Sequence, residues 1–245
     1  MFHFFAAPGQ IGEERVTITG PDVNHMKNVL RMKEGEQIRV SDGEEREYLC
    51  EISELARDYI IAKILESDRG NTELKTKLYL FQGLPKGDKM EWIIQKAVEL
   101  GVWEIIPVIT KRTIVKLDKK KEEAKVKRWN AIAESAAKQS GRLAVPVVRP
   151  VMGLTDAFAF TKNLDKSLIP YEQADNMEET RKKIHEILPG MKVGIFIGPE
   201  GGFEESEIQT AVSAGISPIT LGKRILRTET AGMAVLSILM FSLEE

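Results

Sequence analysis

A chain of 245 residues with 42% hydrophobic and 29% charged residues, 35 basic against 37 acidic, has the composition of a folded globular protein rather than a disordered, collagen-like or coiled-coil one. Its length suits one large domain or two smaller ones with a sizeable core. The single cysteine, Cys50, excludes a disulfide framework and a thiolate metal cluster, and the three histidines are too scattered for a metal motif. No apolar run reaches bilayer length, and residues 1–9 lack the basic start and long apolar core of a secretory leader. The expectation is a cytoplasmic protein with no membrane span and no structural metal.

The first 70 residues read as short strands at Val16–Ile18, Gln37–Val40, Glu47–Ile52 and Tyr59–Leu65, with Asp42-Gly43 as a hairpin signal. One helix is predicted over Asp22–Arg31. Many short strands with little helix suggest a small β-barrel. Cys50, inside a strand pattern, reads as a small buried hydrophobe. A polar stretch, residues 68–77, serves as a linker. From there strands and helices alternate. Leu78–Phe81 is a continuously apolar strand, then a helix with Asp88 as N-cap carries Met90, Ile93, Ile94, Ala97 and Val98 on one side and stops at Gly101. A strand is predicted at Ile105–Ile109 and a helix at Glu122–Ser140, whose polar side aligns Arg128, Ser135, Gln139 and Arg142. Strands at 167–169, 192–197 and 217–221 and helices at 177–188, 204–214 and 229–243 complete an α/β domain with a mostly parallel sheet.

Charge is uneven. Residues 1–70 hold 9 basic and 14 acidic residues (net −5), residues 71–160 hold 17 and 10 (net +7), and residues 161–245 hold 9 and 13 (net −4). A cationic middle suits a polyanionic partner, although Lys119–Lys121 beside Glu122 and Glu123 also reads as a solvated helix face.

Two loops, each after a buried strand and before a helix, carry the candidate chemistry. Gly198-Pro199-Glu200-Gly201-Gly202 lets backbone amides approach a ligand at the carboxyl end of a strand; the plainer reading is a tight turn. In residues 221–231, Ile225 and Leu226 stand between Arg224 and Arg227, Thr228 can cap the last helix, and Glu229 suits its positive end. Neighbouring strand ends would merge the two loops into one pocket. No P-loop or dinucleotide glycine fingerprint is present.

GPEGG followed by LGKRILRTETA resembles the SPOUT superfamily, and more narrowly the ribosomal RNA small-subunit methyltransferase E family. The resemblance extends to His25–Arg31, Lys86–Glu91, Gln95-Lys96, Glu99–Val102 and Gln139–Arg142 with Pro146, so it covers nearly the whole chain. Lys111 stands where the family has an acidic residue. The resemblance implies an N-terminal PUA-like β-barrel (1–70), a C-terminal SPOUT α/β domain with a trefoil knot (74–245), a homodimer, and S-adenosylmethionine as cofactor. It maps Tyr171, Gly198, Glu200, Gly201, Gly202, Leu221, Gly222, Ile225, Leu226 and Thr228 onto the cofactor pocket.

The implied reaction methylates N3 of a uridine in 16S rRNA of the small ribosomal subunit. The N3 proton must leave, so Arg227 is the candidate to stabilise developing negative charge, and Glu229 the candidate to take a proton or orient Arg227. Salt-bridge roles for both remain open. Nothing near Cys50 lowers its pKa, which argues against covalent attack on a pyrimidine ring. RNA contacts are assigned to Arg31, Lys86, Lys89, Lys111, Arg112 and Arg142. The rival readings are a superfamily enzyme acting on a ribose 2′-hydroxyl and an RNA-binding assembly factor without catalysis.

Overall fold

A computed structural model describes residues 1–44, 46–70, 72–174 and 176–244 of the chain; Asn71, within the stretch read as a linker, lies outside the described residues. One compact unit comprises 1–73 with 137–145, and the other comprises 74–136 with 146–245.

The first unit is a five-stranded sheet in the order β1-β3-β4-β5-β2, formed by β1 (Phe2–Phe5), β2 (Arg15–Thr19), β3 (Gln37–Ser41), β4 (Arg46–Leu55) and β5 (Tyr59–Arg69). Burial alternates along it: Val16 and Ile18, Ile38 and Val40, Cys50 and Ile52, Ile60 and Ala62 all enter one core, as a period-two pattern demands. Register shifts at Leu49/Cys50 and Ile52/Glu54 mark bulges between β4 and β5, which strengthen local twist. β1 was not legible as a strand; it pairs in parallel with β3, Phe2 opposite Ile38. The expected helix over 22–31 is cut short: α1 spans Pro21–Asn24, and His25–Val29 forms a wider turn in which the Leu30 N–H donates back to His25 O at 2.9 Å. Arg31 then takes φ +56°, the only left-handed non-glycine among the described residues. Cys50 is fully buried, and burial pushes its thiol up to about 11, as suits a packing residue.

Arg142 departs from its expected place on the polar helix face. Helix α3 (Lys119–Ser140) ends in Gly141 at φ +68°, with the Arg142 N–H donating to Ala137 O at 3.0 Å. This is a glycine-terminated Schellman stop, and it turns the chain off the helix axis. Arg142 is 4% exposed and its guanidinium pairs with Glu73, which also accepts from the Leu143 N–H at 2.9 Å. Lys138 pairs with Asp22 at 2.8 Å, and the Ser41 hydroxyl donates to Leu143 O at 2.6 Å. Segment 137–145 is thereby tied to the strands of the first unit.

The second unit is a fully parallel sheet in the order β12-β10-β11-β6-β7-β8, with β9 beside β7. Its strands are β6 (Lys77–Gly83), β7 (Val102–Ile109), β8 (Val147–Val148), β9 (Met152–Gly153), β10 (Lys166–Pro170), β11 (Lys192–Ile197) and β12 (Ser217–Ile219). Its other helices are α2 (Lys89–Glu99), α4 (Leu154–Phe160), α5 (Met177–His185), α6 (Glu205–Ser213) and α7 (Thr228–Leu243). Parallel strands covered on both faces must be apolar throughout, and Leu78, Tyr79, Leu80 and Phe81 are all buried. Tyr79 and Phe81 face α4 and α6 with Phe158, Ile208 and Ala211, where Phe81 stacks on Phe196 at 4.2 Å. On the other face α7 packs on β6, β11 and α2. The short β8, β9 and α4 were not predicted. No described helix is long and apolar enough to cross a membrane.

Removing the Arg142 guanidinium leaves the largely buried Glu73 carboxylate without its counter-charge, held only by the backbone N–H groups of Leu143 and Ala144. Breaking a buried pair from one side costs about 3–5 kcal/mol. Arg142→Ala should therefore lower the urea midpoint of the first unit sharply, and an unchanged midpoint would show that the pair is not structural.

Candidate functional site

Strands β6, β10, β11 and β12 run parallel, so their carboxyl ends share one edge, where open α/β sheets bind ligands. The chain leaves β11 into 198–203, β12 into 220–227 and β10 into 170–174. These three connections, with Lys89, Arg112, Met177, Ile197, Thr228 and Ala231, line a single cavity of about 670 Å³, within the range of small-molecule sites.

Specific contacts hold the loops in place. The Thr228 hydroxyl donates to Gly198 O at 2.6 Å and so joins the start of α7 to the loop after β11. Behind it the fully buried Gln82 donates from Nε2 to Thr228 Oγ1 at 2.9 Å and to Gly83 O at 3.0 Å. Gly83 lies directly under Pro199: a Cβ there would stand 2.6 Å from the proline ring, so only glycine allows the approach. The Glu200 carboxylate accepts from the Lys86 backbone N–H at 3.1 Å and from Lys89 Nζ at 3.0 Å. Arg112 donates to Gly201 O at 2.7 Å, and its aliphatic stem passes where a Gly201 side chain would begin. The Lys111 N–H donates to Glu207 at 2.8 Å, and its Nζ reaches Ser206 at 2.8 Å and Glu204 at 3.3 Å.

All the residues mapped to a cofactor pocket line this cavity together: Tyr171, Gly198, Glu200, Gly201, Gly202, Leu221, Gly222, Ile225, Leu226 and Thr228. Arg227 lines it too, at the exposed N-cap of α7. Glu229 does not. Its Oε2 is buried without a hydrogen bond and lies 3.6 Å from Lys89 Nζ, so its ionic partner is Lys89 rather than Arg227. Among the residues assigned to RNA, Lys89 and Arg112 line the cavity, while Lys86 and Lys111 brace its loops from outside. Arg31 and Arg142 belong to the first unit, and the buried Arg142 guanidinium is committed to Glu73. The reading of the sequence missed Gln82 and Gly83, and gave Lys223 and Arg224, within the second loop, no role. The signal for Gln82 was present as a polar residue closing an otherwise apolar buried strand.

A family model described as an RNA methyltransferase domain matches residues 72–240, and one described as an RNA methyltransferase PUA domain matches residues 18–65. The Bacillus subtilis ribosomal RNA small subunit methyltransferase E is 40% identical over 231 residues, which cover 93% of this chain and 90% of that one. This chain belongs to the ribosomal RNA small subunit methyltransferase E family. A Mesomycoplasma hyopneumoniae member is 37% identical over 97% of this chain and 98% of its own length. The crystal structure of a Neisseria gonorrhoeae member, bound to S-adenosyl methionine, superposes with a TM-score of 0.86 at 34% identity, covering 99% of this chain and 98% of that one. The expected order of a PUA-like unit followed by an α/β unit therefore holds.

Glu200 and Lys89 form the titratable latch of this family member's cavity. Burial alone would raise the Glu200 carboxyl; hydrogen bonds from Lys89 and from the backbone N–H groups of Glu200 and Lys86, with the Lys89 charge, bring it below its ordinary value of 4.5. The hydrogen bond to Glu200 raises Lys89 above 10.5. A depressed carboxyl contributes stability above its unfolded pKa and loses it as pH falls through the folded value, and a raised ammonium contributes below its unfolded pKa and loses it as pH rises through the folded value. The latch should thus hold from about pH 5 to pH 10. Carboxyl-carbon NMR should find Glu200 titrating below 4.5, and Lys89→Met should move it upward; an unmoved titration would remove Lys89 as the cause.

Proposed function

We propose that this chain is an S-adenosylmethionine-dependent methyltransferase that modifies N3 of a uridine in 16S rRNA of the small ribosomal subunit, and that it works in the cytoplasm as a homodimer. The observation that carries the reading is the meeting of both glycine loops in one cavity with cationic side chains at its mouth. The donor set fits the cofactor: glycine-rich backbone supplies hydrogen-bonding edges, Leu221 and Leu226 an apolar wall, and Glu200 an acidic group suited to an ammonium. Two loops from separate strands joined across this edge also accord with a SPOUT trefoil knot, which we include in the proposal.

When bound, the cofactor supplies a methyl group already activated by its sulfonium. The chain's residues do the remainder. The loops position the acceptor and exclude water. Arg227, exposed and lining the cavity, faces the place where negative charge develops as N3 loses its proton. Glu229 positions Lys89 from behind the wall, and Lys89 with Glu200 fixes the loop against which the base docks. Lys223, Arg224 and Arg227 are exposed beside the cavity and suit a phosphate backbone, while Arg31 is exposed on the PUA-like unit. The base must be unpaired or extruded to enter. α7 buries Val235, Leu236, Leu239 and Leu243, yet Ile238 is 41% and Phe241 83% exposed. That apolar face, continued by the 42% exposed Trp92 on the adjacent α2, supports a dimer contact.

Calorimetry with S-adenosylmethionine should give saturable binding, and mapping of rRNA modified by the purified protein should find the new methyl on uridine N3; a 2′-O-methyl would support the ribose reading, and absence of binding would overturn the function. Arg227→Ala should lower the methylation rate roughly 10²-fold, the scale of losing one charge-stabilising donor, with cofactor affinity little changed. Equal loss of both would reassign Arg227 to binding. Phe241→Asp should convert the dimer to monomer in light scattering, and an unaffected dimer would place the contact elsewhere.

A further inference from the structure

Gln82 is fully buried at the end of β6, and its Oε1 has no hydrogen-bond partner. Such an orphan is uncommon and calls for a reason. The direction of the hydrogen bonds supplies it. Gly198 O can only accept, so the Thr228 hydroxyl must donate its single proton there, at 2.6 Å. Thr228 Oγ1 is then left as an acceptor, and the group behind it must be a donor. Gly83 O, the other neighbour of the Gln82 amide, also accepts only. Both contacts demand the NH2 end of the carboxamide, at 2.9 and 3.0 Å. Oε1 is forced to face α7 at Gly232, where a Cβ would stand 3.7 Å away and nothing donates.

We infer that Gln82 is a positioning residue for the cofactor cavity: its carboxamide fixes the Thr228 hydroxyl on Gly198 O and thereby sets the relative placement of the two glycine loops. The inference rests on the cofactor reading proposed above. Gln82 does not line the cavity and acts through Thr228. The unsatisfied Oε1 is the stability given up for a geometry that an apolar residue of the same size could not impose.

The consequence is a divergence of stability and binding. Gln82→Met keeps the volume, removes the orphaned acceptor and removes the donor to Thr228. It also takes the donor from Gly83 O, which offsets the loss of the orphaned acceptor, so it should melt close to the wild type, while its dissociation constant for S-adenosylmethionine rises about tenfold, the effect of losing roughly one hydrogen bond. The rate at saturating cofactor should stay within about twofold, so that the change lies in KM rather than kcat. Gln82→Glu keeps the shape but turns a carboxylate on two acceptors; it should lose affinity and melt lower than Gln82→Met. Hydrogen exchange without ligand gives a readout independent of the cofactor: in Gln82→Met, amides of 198–203 and 221–228 should exchange faster while those of β6 and β11 do not change. Unchanged affinity and exchange in Gln82→Met would overturn the inference, as would a parallel fall in melting temperature and affinity. A wild-type protein that fails to bind S-adenosylmethionine would instead sink the cofactor reading, and the exchange comparison would still decide whether Gln82 sets the loops.

Discussion

The hydrogen bond from the Thr228 hydroxyl to Gly198 O joins two connections that follow different strands, and both connections line one cavity. Parallel strands deliver their loops to one edge but do not fix the loops against each other. Here three contacts do so around Thr228: Gln82 behind it, Gly83 pressed beneath Pro199, and Arg112 laid along Gly201. The first joins two side chains, the second uses the absence of a side chain and the third one backbone carbonyl, which leaves most backbone edges of the loops free of these contacts. Fixing the site by its scaffold in this way meets the ordering cost in the fold instead of at binding.

The electrostatics of the second unit depend on which cations are already committed. Lys89 is shared by Glu200 and Glu229, Lys111 by Glu204 and Ser206, and Arg112 by a carbonyl. The Lys89 and Lys111 charges are thereby balanced by carboxylates, whereas Arg112 spends one donor on a neutral carbonyl and keeps its charge. The exposed cations lining the cavity are Arg112 from the middle third and Lys223, Arg224 and Arg227 from the last third of the chain, the segment of net negative charge. The cationic middle third thus overstates its own availability: Lys138 is held by Asp22 and Arg142 by Glu73 within the first unit. Placement of a few groups, and not the charge of a segment, sets the electrostatic potential of this edge.

Periodicity made most of the fold legible. Short β-rich runs between turn signals marked β2 to β5, and continuous apolar runs marked β6 and β11, because burial on one face or on two leaves different residue patterns. β1 escaped because its partner β3 lies some thirty residues on and supplies the pairing that its own four residues cannot announce. The helix expected through Arg31 failed because the turn at His25–Val29 is fixed by tertiary packing of Met26 rather than by propensity. At the site, the residues of the two loops were legible from their motifs and meet in one cavity, whereas Arg142 and Glu229 were placed by charge and position alone. Their partners, Glu73 and Lys89, are remote in sequence. Gln82 hid for the same reason, with its acceptor 146 residues away.

Helix α7 carries this logic from one end to the other. Its first residue, Thr228, closes the cavity, while its last turns bury Leu239 and Leu243 and leave Ile238 and Phe241 outside. A helix apolar on more than one side is stable in water only when more than one surface covers it. If a second copy covers the outer side, as the proposed dimer requires, the rigidity of Thr228 depends on that contact as well as on Gln82. Association and cavity geometry then share one rigid element, and loss of the outer contact would loosen the N-terminal turn on which both glycine loops depend.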